Sequence, residues 1–285
     1  MMEPEASAHL IERAAKRLQE TADLAGVQPG NKTPPEAATA ARFEQLGPAP
    51  PAVPRLEIAA LERAGLIGSG DPWDRVSEEF RLVQGQLLQN MPAVGSMRSG
   101  SLVMLTSSRP GEGKSFVSLN LAASIARYCK RAVLLVDCDS AQNATTDLVG
   151  LNDASGLLDL AADSARTPRD MVVATAIPNL SFLPIGGREW RREISASIPV
   201  VEVVELLAQH FANCIIVLDT APCLSSSTPA ALAQIVGQTV MVVEAEQTQL
   251  SEIESAVGLL QACPIITVML NKARLTGGDT FGAYY

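Results

Sequence analysis

The stretch Ser107-Ser108-Arg109-Pro110-Gly111-Glu112-Gly113-Lys114-Ser115 places two glycines, a lysine and a hydroxyl at the spacing of a loop that wraps a polyphosphate. Gly111 and Gly113 let backbone amides turn inward on an anion, and a following helix adds partial positive charge from its N-terminus. Lys114 reaches the outer phosphates, and the Ser115 hydroxyl suits Mg2+. The predicted contact set for a nucleotide such as ATP runs through Ser108, Arg109, Pro110, Gly111, Glu112, Gly113, Lys114, Ser115 and Phe116. The strict G-x-x-x-x-G-K-S/T pattern has glycine where this chain has Ser108. Taken alone, the string also fits a surface turn capping a helix, so its surroundings decide.

Those surroundings supply acids. The apolar run 132–136 ends in Asp137-Cys138-Asp139, and 214–218 ends in Asp219-Thr220-Ala221-Pro222. In an open parallel sheet, ligands sit at the carboxyl ends of strands, where these carboxylates would meet a metal and phosphates. Asp137 and Asp219, with Ser115, are the predicted metal ligands, and Asp137 and Asp139 join Lys114 as the predicted catalytic groups. Asp-Cys-Asp could alternatively cap the next helix. Asn271 closes a later apolar run, 265–270, where its amide could read an adenine edge.

Elements that would hold these residues follow from periodicity. Residues 102–105, 132–136, 180–184, 214–218, 240–243 and 265–270 read as buried strands; helices are expected over 56–66, 74–90, 116–127, 156–162, 169–176, 200–211 and 250–260. The predicted fold is α/β: a doubly wound, mostly parallel sheet of the P-loop type with an N-terminal helical arm. Domain limits are an amphipathic helix at 1–25, a proline-rich linker at 26–54, the nucleotide domain at 55–271 and a tail at 272–285 carrying Tyr284 and Tyr285. The arm helix suits docking on its own domain and on another protein equally. Tyr128 reads as a packing residue, and Arg188, Arg191 and Arg192 as a solvated loop. His9 and His210 form no catalytic constellation.

A net charge of -9 argues against nucleic acid as a partner. Five cysteines without metal spacing read as reduced thiols in a cytoplasmic protein. No apolar run reaches the ~18 residues of a membrane span, and no secretory leader is evident.

In order and spacing, the phosphate loop, Leu134-Leu135-Val136-Asp137-Cys138-Asp139, the run Ile215 to Pro222 and Met269-Leu270-Asn271-Lys272 resemble the bacterial tyrosine autokinases (BY-kinases). The resemblance runs from about Leu56 to the end. Leu10 to Ala15 and Glu78-Glu79-Phe80-Arg81 are similar to the subgroup found with exosortase and exopolysaccharide loci. The family's Ser-x-x-Pro-Gly-x-Gly-Lys-Ser loop accounts for Ser108. The resemblance implies an ATP- and Mg2+-dependent kinase, with Lys114 and Ser115 as Walker A, Asp137 and Asp139 as Walker A', and Asp219 as the Walker B acid. It makes Tyr284 and Tyr285 phosphate acceptors, modified in trans in a homo-oligomer. It also implies a membrane-embedded polysaccharide chain-length or copolymerase partner at the inner face of the plasma membrane. The chain departs from the family at Ala141 and Gln84, where arginines are expected, and in its short tail.

Two other functions stay open: a MinD/ParA-type ATPase switch, whose signature lysine would stand where this chain has Arg109, and a nucleotide-binding regulator without kinase activity. The 14 residues after Asn271, at ~3.3 Å each, reach roughly 46 Å, enough to enter an adjacent site.

Overall fold

The computed structural model describes residues 55–67, 75–91, 101–141, 144–163, 165–187 and 200–273. The predicted arm, the linker, Arg188, Arg191, Arg192, Tyr284 and Tyr285 lie outside these residues.

In chain order the elements are α1 (Ile58–Arg63), α2 (Arg75–Gln89), β1 (Leu102–Ser107), α3 (Lys114–Tyr128), β2 (Val133–Cys138), α4 (Thr145–Leu148), α5 (Leu157–Ala162) and α6 (Pro168–Met171). They continue with β3 (Val173–Ala174), β4 (Leu180–Leu183), α7 (Val200–His210), β5 (Ile215–Thr220), α8 (Thr228–Leu232), β6 (Gln238–Glu244), α9 (Leu250–Leu259) and β7 (Ile266–Asn271). The strands form one sheet in the order β3-β4-β2-β5-β1-β6-β7. Every neighbouring pair is parallel except β3 with β4. The expected mostly parallel, doubly wound sheet is therefore present.

Side-chain alternation divides the core between the sheet's two faces. Val103, Leu105, Val133, Leu135, Ile215 and Val217 pack with α1, α2 and α3. Leu102, Met104, Leu134, Val136, Ile216 and Leu218 pack with α5, α7, α8 and α9. Apolar residues on both faces are what a buried parallel strand requires, and they explain the unbroken apolar runs in the sequence.

Several expectations need correcting. The helix expected over 169–176 ends at Met171, because Val173 and Ala174 pair antiparallel with Phe182 and Ser181. The helix expected from Leu56 starts at Ile58, because Leu56 bridges to Thr175 and exchanges backbone bonds of 2.8 Å with Ala174 and Ala176. In each case backbone pairing at the sheet's edge prevails over local helical spacing. Helical periodicity over 74–90 sets Val76, Phe80, Val83, Leu87 and Leu88 on one inward face; on α2 Phe80 and Leu87 are buried, but Val76 is exposed and polar Gln84 is buried. Gln84 accepts from Ser124 Oγ at 2.6 Å and donates to Cys129 Sγ at 2.7 Å, which satisfies the amide inside the α2–α3 contact. Tyr128, expected to pack inward, is 46% exposed, with the Arg81 guanidinium 5.1 Å over its ring. The cysteines are free thiols, with Cys138, Cys223 and Cys263 buried.

A single amide ties the lead-in segment to the phosphate-loop helix. Asn120 on α3 accepts from Ile67 N at 2.8 Å and donates to the carbonyls of Gly65 and Phe116, both at 2.9 Å. Replacing it by alanine leaves the half-buried Ile67 N and Gly65 carbonyl without that partner. Asn120→Ala should destabilise the protein by about 1–3 kcal/mol. Urea unfolding checks this, and an unchanged midpoint would contradict it.

Candidate functional site

The site lies at the carboxyl ends of β1, β2 and β5, adjacent strands of the sheet. Parallel pairing sets Asp137 opposite Asp219 in register. The loop after β1 supplies the cation. Gly111 and Gly113 have φ values of 89° and 95°, in the left-handed region that favours glycine. A Cβ on Gly113 would lie 2.2 Å from Asn271 Nδ2, so any other residue there would have to displace that amide.

Lys114, the first residue of α3, points its Nζ at the acids: 2.6 Å from Asp139 Oδ2, 4.0 Å from Asp219 Oδ1 and 3.2 Å from Ser115 Oγ. Asp137, Asp139 and Asp219 are all buried. Asp137 accepts from Asp139 N at 3.0 Å, Thr146 N at 2.7 Å and Thr146 Oγ1 at 2.6 Å. Asp219 accepts from Thr145 Oγ1 at 2.7 Å and Ser118 Oγ at 3.2 Å. Asp139 accepts from Ala141 N at 3.0 Å, so the residue standing in for the family's arginine supplies only its backbone here.

Burial pushes the Asp137 carboxyl up to about 7, the neighbouring Asp219 charge adds to the rise, and the Thr146 bonds only partly oppose it. Burial also raises Asp219, with Lys114 and Thr145 pulling the other way. For Lys114, burial alone would lower the value, but Asp219 and Asp139 outweigh it and hold the ammonium charged. Burial raises the Cys138 thiol well above its usual value, and the flanking acids raise it further. Cys138 is therefore an inert neutral thiol.

The predicted residues thus converge: Lys114, Ser115, Asp137, Asp139 and Asp219 share one cluster. Three placements differ from the simplest expectation. Asn271 Nδ2 donates to the Glu112 carbonyl at 2.8 Å, committing that amide hydrogen to the loop. Phe116 turns its ring toward Phe80, with centroids 6.0 Å apart, and packs beside Gly65. Arg109 reaches Glu252 at 3.3 Å on the surface. Thr145, Thr146 and Ser118 were not singled out from sequence. Only the close succession of Thr145 and Thr146 after the Asp-Cys-Asp run hinted at donors for the acids.

The residues fit a hard cation and a polyphosphate. Ser108 Oγ is buried inside the loop with no hydrogen-bond partner among the described residues. The donors near Lys114 are all oxygen, as Mg2+ prefers. Among the described residues, no cluster of three or more His, Cys, Asp or Glu side chains is arranged to hold a metal unaided. Ser115, Asp137 and Asp219 are the side chains that would face it.

Residues 103–276 match the CobQ/CobB/MinD/ParA nucleotide-binding domain, which spans more than half of the chain. The protein belongs to this family of P-loop nucleotide-binding domains. Among individual proteins, it is similar to the tyrosine-protein kinase wzc of Salmonella typhimurium, 28% identical over 240 residues that cover 80% of this chain and 31% of that protein. It is also similar to CapB of Staphylococcus aureus, named as a candidate tyrosine-protein kinase: 27% identity over 217 residues, 75% of this chain and 92% of that one. The chain spans about a third of the Salmonella protein and nearly all of CapB. The solved kinase domain of the Escherichia coli tyrosine kinase ETK shares the fold, with a TM-score of 0.62 at 20% identity over 76% of this chain and 83% of that one.

The Asp137 shift has a consequence for stability. Its carboxyl binds a proton more tightly in the folded state, about 7 against 3.8, so its contribution is fully present below about pH 4 and lost as pH rises through about 7. The unliganded protein should lose stability across that window, and Asp137→Asn should flatten the profile. Melting temperatures measured from about pH 4 to 8 check this. Parallel profiles for the two proteins would contradict it.

Proposed function

We propose that the chain is an ATP- and Mg2+-dependent protein tyrosine autokinase. The observation that carries this reading is the buried cluster of Lys114, Asp137, Asp139 and Asp219 at the end of a phosphate loop. Lys114 neutralises charge on the transferred phosphoryl group, the contribution expected of a preorganised cation in a dry site. Mg2+ would be held by Ser115, Asp137 and Asp219 and would supply further neutralisation of phosphate charge.

Asp139 is the general base. A tyrosine hydroxyl, with a pKa of about 10, needs an acceptor for its proton as its oxygen attacks. The proton passes to Asp139, a tyrosine O–P bond forms at the γ-phosphorus, and the bond to the bridging oxygen breaks to release ADP. Asp139 is paired with Lys114 in this structure, so phosphate must draw the lysine away before the carboxylate can act. Asp137 and Asp219 hold the metal side of the site.

The acceptors are Tyr284 and Tyr285 of a neighbouring subunit in a homo-oligomer. The family resemblance, together with relatives named as tyrosine-protein kinases, supports a role in exopolysaccharide synthesis or export. In that role a membrane-embedded copolymerase recruits the protein to the inner face of the plasma membrane. Among the described residues no helix is long and apolar enough to cross a membrane, so recruitment through a partner accounts for that location. An ATPase switch of the MinD/ParA kind is the less favoured reading, because Arg109 stands at the signature lysine position and pairs with Glu252 of its own chain.

Incubation with ATP and Mg2+ should produce phosphotyrosine, and Lys114→Met, which lowers stability by removing the acids' counter-charge, should abolish it at a temperature where circular dichroism still shows a folded protein. Undiminished phosphotyrosine in that variant would overturn the mechanism. Mixing Lys114→Met protein with a Tyr284→Phe/Tyr285→Phe protein should place phosphate on the lysine variant's tail. Its absence there, with wild type active, would exclude transfer between subunits.

A further inference from the structure

A carboxylate inside an anion-binding loop opposes the loop's purpose unless it serves another one. Glu112 lies between the two left-handed glycines, yet it is only 2% exposed. Its Oε2 accepts from Arg109 N at 2.7 Å, closing the loop on itself. Its Oε1 accepts from Thr248 Oγ1 through a short bond and from Glu244 N at 3.4 Å. Glu244 is the last residue of β6 and Thr248 lies in the connection from β6 to α9, so the side chain ties the loop to the adjacent strand end. The backbone is tied to β7 in the same way. Asn271 Nδ2 donates to Glu112 O at 2.8 Å, and Lys272 Nζ bridges Gly111 O at 2.7 Å to Glu244 Oε2 at 3.0 Å.

We propose that Glu112 is a positioning residue that preorganises the phosphate loop by anchoring it to the β6–α9 connection. The physical reason is entropic. Gly111 and Gly113 give the loop the turns it needs but also the greatest backbone freedom to lose when phosphate binds. An anchor that fixes the loop beforehand removes that cost from binding. The carboxylate suits the task because Arg109 N and Glu244 N can only donate, and an acceptor with two oxygens serves both while also taking the Thr248 hydroxyl. This inference needs only nucleotide binding and is independent of kinase activity.

The anchor and a bare charge make opposite predictions. If Glu112 were merely a negative charge near the phosphates, removing it would tighten nucleotide binding. An anchor predicts weakening. The probe is Mg2+ with fluorescently labelled ADP, titrated into the full chain. Glu112→Ala should weaken binding roughly ten-fold or more. Glu112→Gln should stay within about three-fold of wild type, because its amide can still accept from Arg109 N and can donate to Thr248 Oγ1, giving up only the long 3.4 Å contact from Glu244 N. Thr248→Val should weaken binding in the wild-type background and add nothing in the Glu112→Ala background. Melting temperatures of the nucleotide-free Glu112→Gln and Thr248→Val variants should remain within about 2 °C of wild type. If Glu112→Ala melts lower than that, Thr248→Val decides: weaker binding at an unchanged melt supports the anchor, and unchanged binding overturns it. Unchanged or tighter binding by a folded Glu112→Ala, a Glu112→Gln variant as weak as the alanine, or a fully additive Thr248→Val would each overturn the proposal.

Discussion

The contact between Lys114 and the buried acids is the constraint on which the rest of this structure depends. Three carboxylates share a desolvated space at the strand ends, and repulsion there would be severe without a cation. Lys114 supplies the charge, 2.6 Å from Asp139 and 4.0 Å from Asp219. Thr145, Thr146 and Ser118 supply hydrogen bonds that satisfy the remaining lone pairs. Even so, burial and the Asp219 charge push the Asp137 carboxyl up to about 7, so it holds a proton more tightly than a free carboxyl does. A strained electrostatic arrangement of this kind is expected at a binding site and would be wasteful in a structural core.

The fold exists to bring these groups together from distant parts of the chain. Register between β2 and β5 aligns Asp137 with Asp219, and β1 delivers the loop on the other side of β5. Alternating apolar residues then bury both faces of the sheet, so the strand ends cannot shift relative to one another without disturbing the core. The loop is braced from the opposite direction by Glu112, Asn271 and Lys272. Lys114 is thus held between a rigid sheet and an anchored loop, which is how a flexible side chain acquires a defined position.

Much of this was legible in the sequence for a physical reason. Parallel strands buried on both faces appear as continuous apolar runs, and the acids that end them mark the ligand side of the sheet. The run before Asp137 and the run before Asp219 carried both signals. The glycines and Lys114 carried the loop. Sequence reasoning failed where long-range pairing sets the backbone: Leu56 and Val173 follow partners at the sheet edge instead of local spacing. It also failed where a short helix such as α4 has too few residues to show a period, so Thr145 and Thr146 went unnoticed as partners of the acids. Tyr128 looked apolar enough to pack, but Arg81 covers its ring while leaving it exposed.

The central claim is that Lys114 rests on Asp139 and is drawn away when phosphate binds, which frees the carboxylate. A crystal structure of the protein with Mg2+ and a non-hydrolysable ATP analogue tests this directly. The account predicts that Lys114 Nζ moves beyond hydrogen-bond distance of Asp139 and contacts the outer phosphates, with Asp139 left facing open space. A bound nucleotide beside an intact Lys114–Asp139 pair would contradict it.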